Sequence, residues 1–336
     1  MKQLAASLGI SISTVSRVMS GRAEQCRIAP ATRQLILAEA GRLGVVVDQY
    51  ARGLRLRQTL TIGLLIPDIA NPFFANLACA VEKAARAHGY AVLLCDSQES
   101  TALEMESVNL LHGRRVDGMI LAPVGEEHLH LLSLQQTGMP IVLVDRVFPE
   151  WEVPSVVSDN LSGARMAVNH LLACGHRRIG CVQGLPTSYS NMERLRGYKS
   201  ALEDAGIRFD AKLVSGSDFT AESGYRGTLE LCENPEKRPS ALFALGSLLA
   251  FGAIRAIHEC GLKVAADISV VSFDEQPWAQ FLAPSLTTVA QPVEQLATQA
   301  VSMLLGAMKP GTGGKPTAGV RALPVELIFR ESVRTL

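Results

Sequence analysis

Aromatic side chains are scarce in this chain of 336 residues, at 5% of the total. Any core must therefore be built from Leu, Val, Ile and Ala, which the 48% hydrophobic content supplies. Net charge is lacking too. Basic and acidic side chains number 32 each, so the chain as a whole is drawn to neither polyanions nor polycations. No apolar run approaches the ~20 residues of a membrane span, and no secretory signal precedes the first helical pattern. A cytoplasmic protein with no membrane partner is expected. The seven Cys are odd in number and form no C-x-x-C. They read as small hydrophobes kept reduced. Catalytic frames are missing as well: there is no G-x-G-x-x-G after a strand, no P-loop and no G-x-S-x-G elbow. The His residues are scattered, and His128 and His130 read as a solvated helix face or loop rather than a metal site. No enzyme, metal or cofactor is expected.

The balanced total hides an asymmetry. Residues 1–60 carry Lys2 and eight Arg against Glu24, Glu39 and Asp48, a net +6 that leaves −6 on the remainder. A basic head on an acidic body suits a chain with one end on a polyanion, although a solvated basic surface has the same composition.

From Thr61 onward, short apolar runs alternate with stretches of helical period. TIGLLIPD, YAVLLCD, VDGMILAP, PIVLVDR, RRIGCVQG, SALFALG and ISVVSFD read as strands. Residues 73–88, 99–113, 161–173, 191–205, 221–232, 248–260 and 292–308 read as helices. Continuous apolar strands joined by helical crossovers mean parallel sheets covered on both faces. Some ten strands is large for one open sheet, which favours two lobes. The stretch 310–319 reads as an exposed loop.

Before Thr61 the pattern becomes three short helices, roughly 2–8, 14–20 and 30–43, with Pro30 opening the third. Ala5, Gly9 and Val15 have helix-turn-helix spacing. Gly9 permits the positive φ of the turn, and Ile10, Val15 and Val18 face inward. Ser11 is placed to cap the second helix. Ile12, Ser13, Ser16 and Arg17 are left outward, where they could reach base edges and phosphates. The spacing alone is also compatible with an ordinary capped surface helix.

At SISTVSRVMSG (11–21) the chain resembles the V-S-x-x-T-V-S-R-V-L-N signature of the LacI family of bacterial transcription regulators. The resemblance continues through TRQLILAEAGRLG, ARGL, TIGLLIPDIANPFF, RRVDGMILAP, GHRRIG, RLRGY, DFTAESGY, ISVVSFDE, LTTVAQP and FRES, in family order. The look is nearest to repressors of the ribose and galactose type.

This resemblance implies a small all-α helix-turn-helix head plus an α/β, two-lobed, periplasmic-binding-protein-like (type I) core with parallel sheets. The implied segments are a head at 1–44, a hinge helix or linker at 45–59, and an effector-binding and dimerisation core at 60–336. Within the core, the N-lobe would take about 60–160 plus 291–321 and the C-lobe about 161–290 plus 322–336. The implied partners are a near-palindromic double-stranded operator, a second copy of the chain and a small sugar or sugar derivative. Family tetramers carry a further C-terminal heptad helix; with an end at Leu336, a dimer is expected.

The resemblance also assigns residues. Ile12 and Ser13 match the variable operator-reading positions, Arg17 the common Arg, and Ser11, Thr14 and Ser16 phosphate-touching positions. Leu54 matches a minor-groove wedge and Ala51 its small neighbour. In the core, Arg194 and Asp274 match an effector-binding pair, Phe219 a stacking aromatic and Gln291 a polar residue at a lobe crossing. Asp145 closes a strand at its ligand-facing end, and Phe73 and Phe74 supply an apolar wall. Where the family usually has Asn-Asp, this chain has Gly246-Ser247, so Ser247 is expected to replace part of a missing amide. The same core would also serve a solute-binding transport protein, or a regulator of non-sugar effector, but a transport protein would have no use for residues 1–57.

Overall fold

The computed structural model describes residues 1–19, 23–44, 58–125, 128–236, 238–308 and 319–336. The chain divides into two compact units, Met1–Leu60 and Thr61–Leu336. The expected hinge positions Ala51 and Leu54, and all but the last residue of the loop at 310–319, lie outside the described residues.

The first unit holds α1 (Lys2–Leu8), α2 (Ile12–Met19) and α3 (Pro30–Arg42). Leu4, Ala5, Val15, Val18, Ala23, Ile36 and Ala40 form its core. Gly9 ends α1 at φ +63°, in the left-handed region where a side chain would be strained. The second helix begins two residues earlier than its apolar period suggests, because Ser11 caps it: the Oγ accepts from the Thr14 N–H at 3.1 Å. Met1 stands at the N-cap of α1 without a side-chain hydrogen bond.

The second unit is built on two six-stranded sheets. The first contains β1 (Thr61–Ile66), β2 (Ala91–Asp96), β3 (Gly118–Leu121), β4 (Ile141–Val144), β5 (Pro154–Ser158) and β11 (Gly319–Leu323), in the order β11-β5-β4-β3-β1-β2. All its pairings are parallel. The second contains β6 (Ile179–Val182), β7 (Val214–Ser215), β8 (Ala241–Ala244), β9 (Ser269–Phe273), β10 (Thr287–Ala290) and β12 (Glu326–Ile328), in the order β12-β10-β9-β8-β6-β7. Here only the β10–β12 pair is antiparallel.

Helices α4 (Pro72–Ala87), α5 (Thr101–Gly113), α6 (Leu129–Gln136) and α11 (Val293–Ala307) cover the first sheet. Helices α7 (Asn160–Ala173), α8 (Tyr189–Asp204), α9 (Ala221–Cys232) and α10 (Ser247–Glu259) belong with the second. Alternation along β1 shows why both faces need cover. Ile62, Leu64 and Ile66 enter the cluster with α4 and α11, whereas Leu65 enters the opposite cluster with Val108 and Leu111 of α5. The chain passes between lobes after β5, after β10 and after β11, as the strand order requires.

The helices that start at the facing ends of the two sheets are capped by their own loops. Asn71, Asp159, Ser188 and Thr220 each accept a backbone N–H of the first turn of α4, α7, α8 and α9. Those caps fix the first-turn residues that face the space between the lobes.

His128 and His130 depart from the expected solvated face. His130 Nε2 lies 2.5 Å from the buried Glu104 carboxylate, whose other oxygen accepts from the Val124 N–H at 2.7 Å. His128 stacks on Trp151 at 5.3 Å between ring centroids and lies 3.5 Å from the Glu150 carboxylate. Both rings are half-buried packing groups, and Leu129 between them is the exposed residue. Among the described residues, no group of His, Cys, Asp and Glu could hold a metal, and no helix is long and apolar enough to cross a membrane.

Candidate functional site

A cleft between the lobes is lined by Asn71, Phe73, Phe74, Asp145, Arg146, Ser190, Arg194, Phe219, Asp274 and Gln291, around an empty volume of about 250 Å³. Every position expected to face an effector is in this set except Ser247.

Arg194 is the most constrained of these side chains. It projects from α8 and is buried, with its guanidinium 3.7 Å from the Phe273 ring centroid. Its Nε donates to Asn160 Oδ1 at 2.8 Å and one terminal nitrogen to the Leu245 carbonyl at 2.6 Å. The other terminal nitrogen stands 3.9 Å from Asp274 Oδ1. Gly197, three residues on, makes this placement possible. A Cβ there would come within 2.4 Å of the Leu161 carbonyl, so only glycine lets α8 lie this close to α7, which carries Asn160.

Asp274 follows β9 and Asp145 follows β4, both with positive φ, at +72° and +63°. Such strained non-glycine residues at strand ends are typical of ligand sites. Asp274 accepts from Gln291 Nε2 at 2.5 Å and from the Ser247 N–H at 3.4 Å. Asp145 is buried, and its Oδ1 has no protein partner.

Burial pushes the Asp145 carboxyl up from 3.8 to about 6, with Arg194 and Arg146 opposing the rise. The folded state therefore holds this proton more tightly than the unfolded chain. The penalty for ionising Asp145 is absent at low pH, develops as pH rises from about 4 to 6, and is fully present above that. Relative to wild type, Asp145→Asn is expected to gain stability by up to about 3 kcal/mol between pH 4 and 7. Denaturant titrations of both proteins across that range measure the difference, and a pH-independent difference contradicts the assignment.

Arg146 sits in the cleft as well. It is buried and grips Glu99 through two 2.6 Å hydrogen bonds. Its guanidinium carbon lies 5.4 Å and 5.8 Å from the Phe74 and Phe219 ring centroids. Phe73 and Phe74 meet edge to face at 5.1 Å and serve both the N-lobe core and the cleft wall.

Ser247 is the exception. It is buried behind Asp274 rather than facing the cleft, and its Oγ has no partner. The Phe219 ring packs on the two glycines nearby: a Cβ on Gly246 would come within 3.2 Å of it, and one on Gly184 within 2.4 Å. The sequence reading missed Ser190 and the supporting Asn160. Ser190 was accessible by periodicity, since it precedes Arg194 by four residues on the same helix face.

In the head, α2 turns Val15 and Val18 inward and leaves Ile12, Ser13 and Arg17 exposed, with Thr14 and Ser16 half-buried. The Ser11 hydroxyl also lies within 2.9 Å of that of Ser13 and 2.8 Å of that of Thr14. The exposed face of α2 is thus small, hydroxyl-rich and basic at its C-terminal end.

Two kinds of comparison place the chain. A family model described as a periplasmic binding protein-like domain matches residues 168–333. The transcriptional repressor CytR of Escherichia coli (strain K12) is 33% identical over all of this chain and 96% of its own. Among solved structures, the lac repressor dimer bound to operator and the anti-inducer ONPF is 27% identical, with a TM-score of 0.85 over 98% of each chain. A LacI family transcriptional regulator from Enterococcus faecium with bound ribose is 30% identical, with a TM-score of 0.73 over 82% of this chain and 99% of that one. The three-helix head, the two parallel-sheet lobes and these end-to-end similarities together show that the chain belongs to the LacI family of transcriptional regulators.

Proposed function

We propose that this chain is a cytoplasmic repressor of carbohydrate-metabolism genes that binds a near-palindromic operator as a homodimer and is switched by a sugar or sugar derivative in the cleft between its lobes. The observation that carries the effector half is the set of orphaned polar atoms at one place. Asp145 Oδ1, Gln291 Oε1 and Arg146 Nε line or adjoin the cleft, buried and without partners, and Ser247 Oγ lies just behind. Such groups are costly unless something pairs with them. Carboxylate acceptors, guanidinium donors and aromatic walls in so small a space suit a polyhydroxylated ring, in which each hydroxyl both donates and accepts.

The segmentation follows: residues 1–44 read DNA, 45–59 form the hinge, and the rest sense the effector. Because both lobes wall the cleft, a ligand there binds the closed arrangement more tightly, and that difference in affinity is what shifts operator binding. Ile12 and Ser13 read bases, Arg17 contacts a base edge or phosphate, and Ser11, Thr14 and Ser16 hold phosphates. Ala51 and Leu54 meet the minor groove.

DNA binding is tested by salt. With +6 on residues 1–60 of each protomer, log K for operator is expected to fall with log salt at a slope of about −5 or steeper. Arg17→Ala is expected to weaken operator binding roughly tenfold or more while changing that slope by about 1 or less. Fluorescence anisotropy with a duplex selected from random sequence measures both. A flat salt dependence contradicts the reading.

A further inference from the structure

The turn that leads from α2 into α3 closes like the end of a helix. The Ile28 N–H donates to the Ala23 carbonyl at 2.8 Å, and the Arg27 N–H to the Glu24 carbonyl at 3.0 Å. Ala23 is buried in the head core and Ile28 packs against that core, the apolar contact that accompanies such a closure. The pattern calls for left-handed backbone at its fifth residue, where glycine is the usual occupant. In this chain the fifth residue is Arg27, at φ +52°. A Cβ is strained in that region, so for folding alone arginine is a poorer choice than glycine.

What arginine adds is a side chain held outward. Residues 24–27 are all exposed. Arg33 and Arg42, on α3, are matched by Glu24 at 3.4 Å and Glu39 at 2.7 Å. The Arg27 guanidinium has no hydrogen-bond or ion-pair partner among the described residues. The head thus presents an unmatched cation on a turn whose two ends are pinned in its core.

Placement points to the partner. Ala23 shares the head core with Val15 and Val18, the inward residues of α2, so the turn lies alongside that helix. A helix is about 10–12 Å across and the major groove of DNA about 12 Å wide. With the exposed face of α2 seated there, the helix fills the groove. A segment packed beside it meets the phosphates of the rim rather than base edges.

We infer that Arg27 contacts a backbone phosphate beside the groove that α2 occupies, once per protomer. The inference rests on the reading of α2 as the operator-reading helix.

Arg27→Gly tests it, because glycine suits the backbone of the turn and removes the guanidinium. The full-length variant is expected to melt within about 2 °C of wild type, or later. It is nevertheless expected to bind DNA roughly tenfold less tightly at ~0.1 M salt. The loss should be the same on a selected operator duplex and on a scrambled one, since a phosphate contact carries no sequence information. Two contacts are lost per dimer, so the slope of log K against log salt should become shallower by about 2. Arg27→Lys keeps the charge and should keep the slope within about 0.5 of wild type. Fluorescence anisotropy at several salt concentrations, with a thermal melt of each protein, measures these quantities. Wild-type affinity and slope in Arg27→Gly would overturn the inference and leave the reading of α2 intact. A loss confined to the selected duplex would also overturn it, by marking a base contact. An earlier melt with an unchanged slope would overturn it too, by giving Arg27 a structural role alone. A flat salt dependence in wild type would remove the reading of α2, and the inference with it.

Discussion

Arg194→Ala is expected to abolish the effector response while leaving operator affinity within about threefold of wild type at low temperature. The side chain meets Asn160, the Leu245 carbonyl, the Phe273 ring and Asp274, all in the C-lobe and all at or behind the cleft. None of the head residues depends on it. Removing it leaves Asn160 Oδ1 and the Leu245 carbonyl without a donor, and leaves Asp274 and the already destabilised Asp145 with less positive charge nearby. Breaking a buried pair in this way typically costs about 3–5 kcal/mol. The core is therefore expected to melt earlier, and the response must be measured below the new transition. Arg194→Lys separates the two effects. Lysine keeps the charge, but it cannot reproduce a planar group serving three partners at once. It should recover most of the stability and little of the response. Effector titrations of anisotropy-detected operator binding, with thermal melts, measure both. A wild-type response in Arg194→Ala would mean that the effector binds elsewhere.

Gly252→Val is expected to destabilise the core by roughly 3 kcal/mol or more, through backbone contact alone. Gly252 lies on α10 where that helix crosses α9. A Cβ there would stand 1.9 Å from the Ala221 carbonyl oxygen and 2.6 Å from the Tyr225 nitrogen. The contact is reciprocal, since a Cβ on Gly224 of α9 would stand 2.3 Å from the Leu249 carbonyl oxygen. These neighbours are main chain, with no flexible side chain to move aside, so the helices must separate. Helix propensity works the other way, since glycine in a helix interior costs up to about 1 kcal/mol relative to alanine. The steric cost exceeds that gain, so even Gly252→Ala is expected to destabilise. For Gly252→Val the melting temperature should fall by about 5–10 °C. The site should suffer too, because Phe219 leads into α9 and Gly246 into α10. A melting temperature within about 1 °C of wild type would contradict the packing described here.

The extent to which sequence reveals such a fold depends on how much of each element is buried. Strands such as TIGLLI and GMIL are apolar on both faces and stand out, and the two-lobed sheet architecture follows from them. β5, with two Ser in five residues, gives a weaker signal; so do β7, two residues long, and β11, mostly exposed. Their pairing is set by partners distant in sequence, as when β11 joins β5 across some 160 residues of chain. At the site, Arg194, Asp274, Asp145 and Phe219 were legible because each stands in a recognisable local motif. The environment of Arg146 was not. Its partner Glu99 lies 47 residues earlier, and only the fold brings that carboxylate to β4. Ser247 shows the converse: its position in the motif suggests ligand contact, but the side chain is buried and outside the cleft lining, and only its N–H reaches Asp274.

Operator affinity of wild type and Arg194→Ala, measured side by side with and without glucose, galactose and ribose, separates effector sensing in the cleft from DNA binding by the head. At least one sugar is expected to change the wild-type dissociation constant by about 5–150-fold and to leave that of Arg194→Ala unchanged. An identical change in both proteins, or no change in wild type with any sugar, would contradict it.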